Sequence, residues 1–174
     1  MSDEQTEELE ELTDDLLEEI LENQIISTDE AEKSNPTSYL VFKAGDINYA
    51  VNSTEVREIL RNNEVYPMPF VPQYIKGVLN SYGVPFAVVD FSLFTSGRPQ
   101  DSRLYMLLKN PNNISIQVSE IQEFHNESEV TVKNLTNTED APFFTGAISF
   151  DDVTAPILNI NGILEKIRSD LENS

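Results

Sequence analysis

Residues Val71 to Phe91 read VPQYIKGVLNSYGVPFAVVDF, and this stretch decides the fold. Pro72 to Lys76 reads as one helical turn, because Pro72 fits a first helical position and Gly77 ends the run. Gly77–Ser81 and Val84–Asp90 are rich in β-branched and aliphatic residues, so each reads as a strand. Tyr82-Gly83 between them supplies the tight turn of a hairpin.

The neighbouring segments continue the β signal. Tyr39–Ala44 and Ile47–Val51 read as strands across a Gly45-Asp46 turn. Asn52 with Glu55 three residues on has the logic of a capping box. It predicts a helix running to about Arg61, with Val56, Ile59 and Leu60 facing inward. Pro67, Pro69 and Pro72 keep Tyr66–Pro72 extended. A polar loop is expected over Thr95–Ser102, strands over Leu104–Lys109, Ile114–Val118 and Ile121–Phe124, and a loose polar stretch to Ala141. Phe143–Phe150 and Val153–Leu158 read as a hairpin over Asp151-Asp152, and Asn161 as the cap of a closing helix from Ile163 to about Leu171. About ten short strands with frequent turn chemistry predict barrels or sandwiches.

The run from Val71 resembles the signature of CheW-like domains, a motif of the form PxFIKGVxNLRGxxVPxVDL. Pro72, Ile75, Lys76, Gly77, Val78, Asn80, Gly83, Val89 and Asp90 fall in its order and spacing. Ser81-Tyr82 stands where that family has Leu-Arg, and the strand proline is shifted to Pro85. Tyr39–Ile59 resembles the opening of such domains and Gly146–Leu164 their ending, so the likeness covers roughly 39–167.

The resemblance implies a mainly β fold: two SH3-like five-stranded β-barrel subdomains side by side, with a few short helices. The expected organisation is an acidic, disordered tail over 1–36 and a CheW-like domain over 37–174. Its subdomains would span roughly 39–92 and 93–160, with the closing helix at 161–172. It also implies a non-enzymatic adaptor that couples chemoreceptors to a CheA-type histidine kinase in chemotaxis signalling. The partners would be the receptor's cytoplasmic tip and the kinase's regulatory domain. The residues carried over to the receptor-facing groove are Val56, Glu58, Ile59, Lys76, Val78, Asn80 and Val84, of which Val56, Ile59 and Val78 read equally well as core. Tyr82 joins them as the departure: an Arg in the family pairs with a Glu matching Glu58, and here that pair cannot form. Glu58 is then expected to stay solvated or to turn to Arg57 or Arg61, with Tyr82 exposed nearby. The alternative is a divergent CheW-like paralogue that serves another kinase or motility system without conventional receptor coupling.

Composition is consistent with these expectations. The chain has 174 residues, enough for one domain or two small barrels, and a formal charge of −20. Residues 1–33 hold 14 acidic residues and one Lys, so this segment carries most of that charge. Leu9, Leu12, Leu16 and Ile20 recur there at helical spacing, but like charges at i,i+4 oppose an isolated helix. So acidic a chain is repelled by phosphate backbones and anionic lipid, which argues against nucleic acid and membrane partners. No strand-length apolar run is long enough to cross a bilayer, and no secretory signal opens the chain, so a cytoplasmic protein is expected. With no cysteine, thiol catalysis and disulfides are excluded. His125 is the sole histidine, which leaves no triad or zinc site, and the scattered glycines form no phosphate loop. No catalytic residue, cofactor or metal is therefore expected.

Overall fold

The computed structural model describes residues 36–136, 139 and 141–173. The expected acidic tail lies outside them, apart from Pro36. Thr37–Ser174 forms one compact unit, with eleven strands and two α-helices among the described residues.

The strands fall into two sheets. In chain order they are β1 (Ser38–Ala44), β2 (Ile47–Asn52), β3 (Val56–Arg61), β4 (Ile75–Ser81), β5 (Val84–Asp90), β6 (Leu104–Leu108), β7 (Ile114–Val118), β8 (Glu120–Asn126), β9 (Thr131–Asn134), β10 (Phe144–Phe150) and β11 (Val153–Leu158). The first sheet has the order β8-β1-β2-β11-β10-β9, and the second β3-β6-β7-β5-β4. Pairing is antiparallel except for β11 with β2 and β5 with β7. The fold class is as expected, with six strands in the first sheet and five in the second.

The period of two explains why so many strands are continuously apolar. On β1, Leu40, Phe42 and Ala44 point to a central core, while Tyr39 and Val41 point to a second cluster with Ala50, Ile148, Ala155 and Ile157. On β6, Leu104, Met106 and Leu108 join the central core, while Tyr105 and Leu107 join Leu79, Phe86 and Val88 in a third cluster. Each sheet thus encloses its own apolar interior, and the two outer faces meet around the central core. Strands buried on both faces lose the apolar–polar alternation of a half-exposed sheet.

Three expectations change. First, Asn52 does cap, its side chain accepting from the Thr54 N–H at 3.0 Å, but the helix is a single 3-10 turn, Ser53–Glu55. The chain then enters β3, paired with β6, in which Val56, Glu58 and Leu60 are half-buried and Arg57, Ile59 and Arg61 exposed. A free edge on β6 outcompetes the local helical preference of REILR. Second, Pro72–Lys76 is not a helix but one turn, closed by the Ile75 N–H on the Pro72 carbonyl at 3.0 Å, and β4 starts at Ile75. Third, the subdomains do not divide near residue 92. The second sheet is one continuous stretch from β3 to β7, and the first is assembled from both ends of the chain. The β1–β2 hairpin has two free edges, and β8 and β11 return to cover them. Neighbour-to-neighbour pairing is the more frequent outcome, but it fails at β2–β3, β3–β4, β5–β6, β7–β8 and β8–β9.

Smaller elements also shift. Asp90 caps α1 (Phe91–Ser96), a helix not expected from the sequence, which takes the first two residues of the expected loop. β9 lies within the expected loose stretch. The closing helix α2 (Ile160–Glu172) is capped by Asn159 rather than Asn161, which sets Ile160, Ile163 and Ile167 on one buried face.

Candidate functional site

The signature residues are first of all structural. Gly77 has φ +145°, and a Cβ there would lie 2.0 Å from the Tyr66 carbonyl oxygen. The reason is local. The proline-rich connector crosses β4 at this point and exchanges two backbone hydrogen bonds between Tyr66 and Val78, both 2.8 Å. Asp90 is fully buried, and its carboxylate accepts from the N–H groups of Leu93 at 3.0 Å and Gln100 at 3.2 Å and from the Gln100 side chain at 3.0 Å. Lys76 lies 3.8 Å from the same carboxylate. A buried charge so fully satisfied orders the β5–α1 corner.

The eight residues carried over do not form one patch. Val84 packs against the interior cluster of the second sheet, and Val56 against the central core. Val78 is half-buried under the connector. Asn80 holds the hairpin, its side chain accepting the Gly83 N–H at 2.8 Å. Lys76, five residues before Ser81, sits at the far end of β4, about 17 Å away along an extended strand.

Glu58 and Ser81, the neighbour of Tyr82, do come together, while Ile59 lies on the opposite face of β3. Ser81 Oγ donates to Glu58 Oε2 at 3.3 Å across the seam between β4 and β3. That bond sets the Tyr82 turn beside the middle of β3. Glu58 therefore has a neutral partner, and among the described residues it forms no ion pair with Arg57 or Arg61. Arg57 instead lies over the Phe86 ring, 5.4 Å from its centre. Tyr82 is 94% exposed, with φ +51°.

Sheet register adds a residue that sequence reasoning missed. Cross-strand partners share a face. Ile59 pairs with Met106, so it lies on the face of the second sheet that turns toward the central core. Phe124 pairs with Leu40, so it lies on the corresponding face of the first sheet. Both rise clear of that core, Ile59 to 37% exposure and Phe124 to 64%. The two strands that carry them approach at both ends. Ser38, opposite Asn126 of β8, hydrogen-bonds Ser53 just before β3, and Arg61 and Ser119 line one depression at the other end. β3 and β8 thus run beside each other where the sheets meet, each with one exposed apolar residue, Ile59 and Phe124, on its inward-turned face. Phe124 reads in the sequence as an ordinary strand residue, and only the register reveals its face.

His125 lies 3.1 Å from a Glu123 carboxylate oxygen and packs on the Phe150 ring at 4.1 Å. Among the described residues no cluster of three or more His, Asp or Glu could hold a metal, and no helix is long and apolar enough to cross a membrane.

Comparison with known proteins agrees with this architecture. The family model of the CheW-like domain matches residues 38–168. The chain is 42% identical over 53 residues to the chemotaxis protein CheW of Rhizobium meliloti (strain 1021), a match covering 30% of this chain and 34% of that protein. The aligned part thus spans about a third of the length of the curated relative. The crystal structure of the scaffolding protein TtCheW from Thermoanaerobacter tengcongensis superposes with a TM-score of 0.61. It has 21% sequence identity and covers 71% of this chain and 89% of that one. The signature stretch at Val71–Phe91, the paired sheets and the family match over most of the length place this chain in the CheW-like domain family.

Proposed function

We propose that this protein is a non-enzymatic adaptor that couples chemoreceptors to a CheA-type histidine kinase in the cytoplasm. The observation that carries the reading is that Ile59 on β3 and Phe124 on β8 are exposed on faces that otherwise pack the core, and we read the space between these strands as a groove. Such a groove suits the apolar stripe of a helical hairpin, here the cytoplasmic tip of a receptor. The kinase's regulatory domain takes a separate surface. Phe70 is 94% exposed at φ +60°, in the connector that runs antiparallel to β4. It therefore lies toward the Ile75 end of that strand, away from Tyr82. An exposed aromatic held in an unfavourable backbone conformation adds nothing to stability, which points to a role in contact.

The test is a titration of the purified full chain with a receptor-tip fragment and, separately, with the kinase regulatory domain. Micromolar binding to both, as transient interfaces of this kind show, with Ile59→Asp and Phe124→Ser weakening only the receptor tip, supports coupling. No binding to either rejects it.

Tyr82 favours a second reading. A phenol stands where the family presents a guanidinium, so a divergent adaptor would prefer partners unlike those of ordinary coupling proteins. Binding to the kinase domain with none to a conventional receptor tip, restored by Tyr82→Arg, selects this reading over the first.

A further inference from the structure

The geometry points to an oxyanion-binding pocket at one end of the groove, which receives a carboxylate carried by the partner helix. This deepens the groove reading and rests on it. A depression of about 160 Å³ is lined by Arg61, Asn62, Ser102, Arg103, Leu104 and Ser119. Arg61 ends β3 and Arg103 precedes β6, and the Asn62 N–H bonded to the Arg103 carbonyl at 2.8 Å holds the two backbones together.

The depression has its own electrostatic character. Neither arginine has an ion-pair partner among the described residues. Asp101 and Glu120, next in sequence to Ser102 and Ser119, are exposed and form no ion pair with either. Both serine hydroxyls are already committed, Ser102 to the Val118 carbonyl at 2.6 Å and Ser119 to the Gln100 side chain. The free donors are therefore the two guanidinium groups and the Asn62 amide. Two planar forks around a space of this size suit one carboxylate or phosphate group. In a chain of charge −20, two arginines left without partners at one spot stand against the overall charge.

Spacing identifies the source of the anion. Ile59 and Arg61 are two residues apart on β3, about 7 Å. One helical turn advances about 5.4 Å. A helix lying along β3 with an apolar side chain over Ile59 therefore brings the residue four positions away over Arg61. The expected partner motif is an apolar residue and a Glu or Asp separated by one turn.

The experiment uses the full chain, labelled for arginine side-chain and methyl NMR. Its probes are inorganic phosphate and two alanine-based helical peptides, one with Leu and Glu four apart and one with Gln in place of Glu. The expected result is that phosphate shifts the Arg61 and Arg103 Nε–H signals, and that both peptides shift the Ile59 methyls. The Glu peptide should bind roughly fivefold more tightly, as one exposed charge pair allows. Arg61→Gln and Arg103→Gln should each shrink that difference while leaving the Gln peptide's affinity unchanged. Equal binding of the two peptides overturns the pocket and leaves the groove reading standing. Phosphate shifts without peptide binding overturn the assignment to a partner helix and count against the groove as well. Loss of the Gln peptide in either variant shows a merely structural role for the arginine.

Discussion

At the scale of single residues, two tyrosines carry opposite meanings. Tyr82 and Gly83 both have positive φ, +51° and +82°, so the β4–β5 hairpin has the turn that Asn-Gly makes most easily. Tyr82→Asn should therefore keep or raise stability, by up to about 1 kcal/mol, while weakening partner binding. Thermal melts together with the receptor-tip titration check this, and a large drop in melting temperature would show that Tyr82 is structural.

Tyr74 is such a structural residue. Its hydroxyl donates to Asp170 Oδ2 at 2.6 Å, and Lys166 holds the other carboxylate oxygen at 2.7 Å, so α2 is latched to the start of β4. The Lys166 and Tyr74 hydrogen bonds hold the Asp170 carboxyl below its ordinary range, and burial with the nearby carboxylate pushes the Tyr74 phenol up. A carboxylate with a depressed folded-state pKa stabilises the fold fully above its unfolded value, near 4, and loses that contribution as pH falls through the folded value. Tyr74→Phe should cost about 1 kcal/mol at pH 7, and the gap from wild type should narrow below about pH 4. Denaturant melts at pH 7, 5 and 3.5 measure it. A gap that stays constant to pH 3.5 would remove the charged acceptor from the account.

Among elements, β3 shows what local sequence carries and what it does not. Val56–Arg61 has helical composition behind a capping Asn52, and the structure makes it a strand because β6 offers an edge and the sheet interior takes Leu60. Ile59 changes from an inward residue in the helical reading to a groove residue. The hairpins at Gly45-Asp46, Tyr82-Gly83 and Asp151-Asp152 were legible because turn chemistry is local. The pairing of β11 with β2, made through a single matched pair at Ile157 and Ala50, was not, because nothing local encodes a partner about a hundred residues away. Gly77 belongs to this scale too, since its requirement comes from the connector crossing above it. Gly77→Ala should destabilise by more than about 2 kcal/mol, by displacing the Tyr66–Val78 bridge. A loss below about 0.5 kcal/mol in denaturant melts would mean that the connector is free to lift.

Across the whole molecule, two sheets share one central core, and the strands that border the groove are tied to a sheet interior, β3 directly and β8 through its neighbour β1. Leu60 anchors β3 in the second interior, and Tyr39 and Val41 hold the strand beside β8 in the first. A groove supported this way is preformed, which lowers the ordering cost of binding. Of the eight residues carried over from the family resemblance, Glu58 meets Ser81, beside Tyr82, at the β3–β4 seam, Ile59 lies on the other face of β3, and the rest serve the fold or lie elsewhere. The motif was legible because it is contiguous. Phe124 and Arg103 were not, because they join the groove only through sheet register and the β3–β6 connection.

The central claim is tested most directly by measuring, in one titration series, the affinity of the full chain and of its Ile59→Asp, Phe124→Ser variant for a receptor-tip fragment and for the kinase regulatory domain. The account predicts that the wild type binds both at micromolar affinity. The variant should lose receptor-tip binding by about tenfold or more while keeping its kinase affinity and its cooperative melt. Unchanged receptor-tip affinity in a folded variant would contradict the groove, and no binding of either partner by the wild type would contradict the adaptor itself.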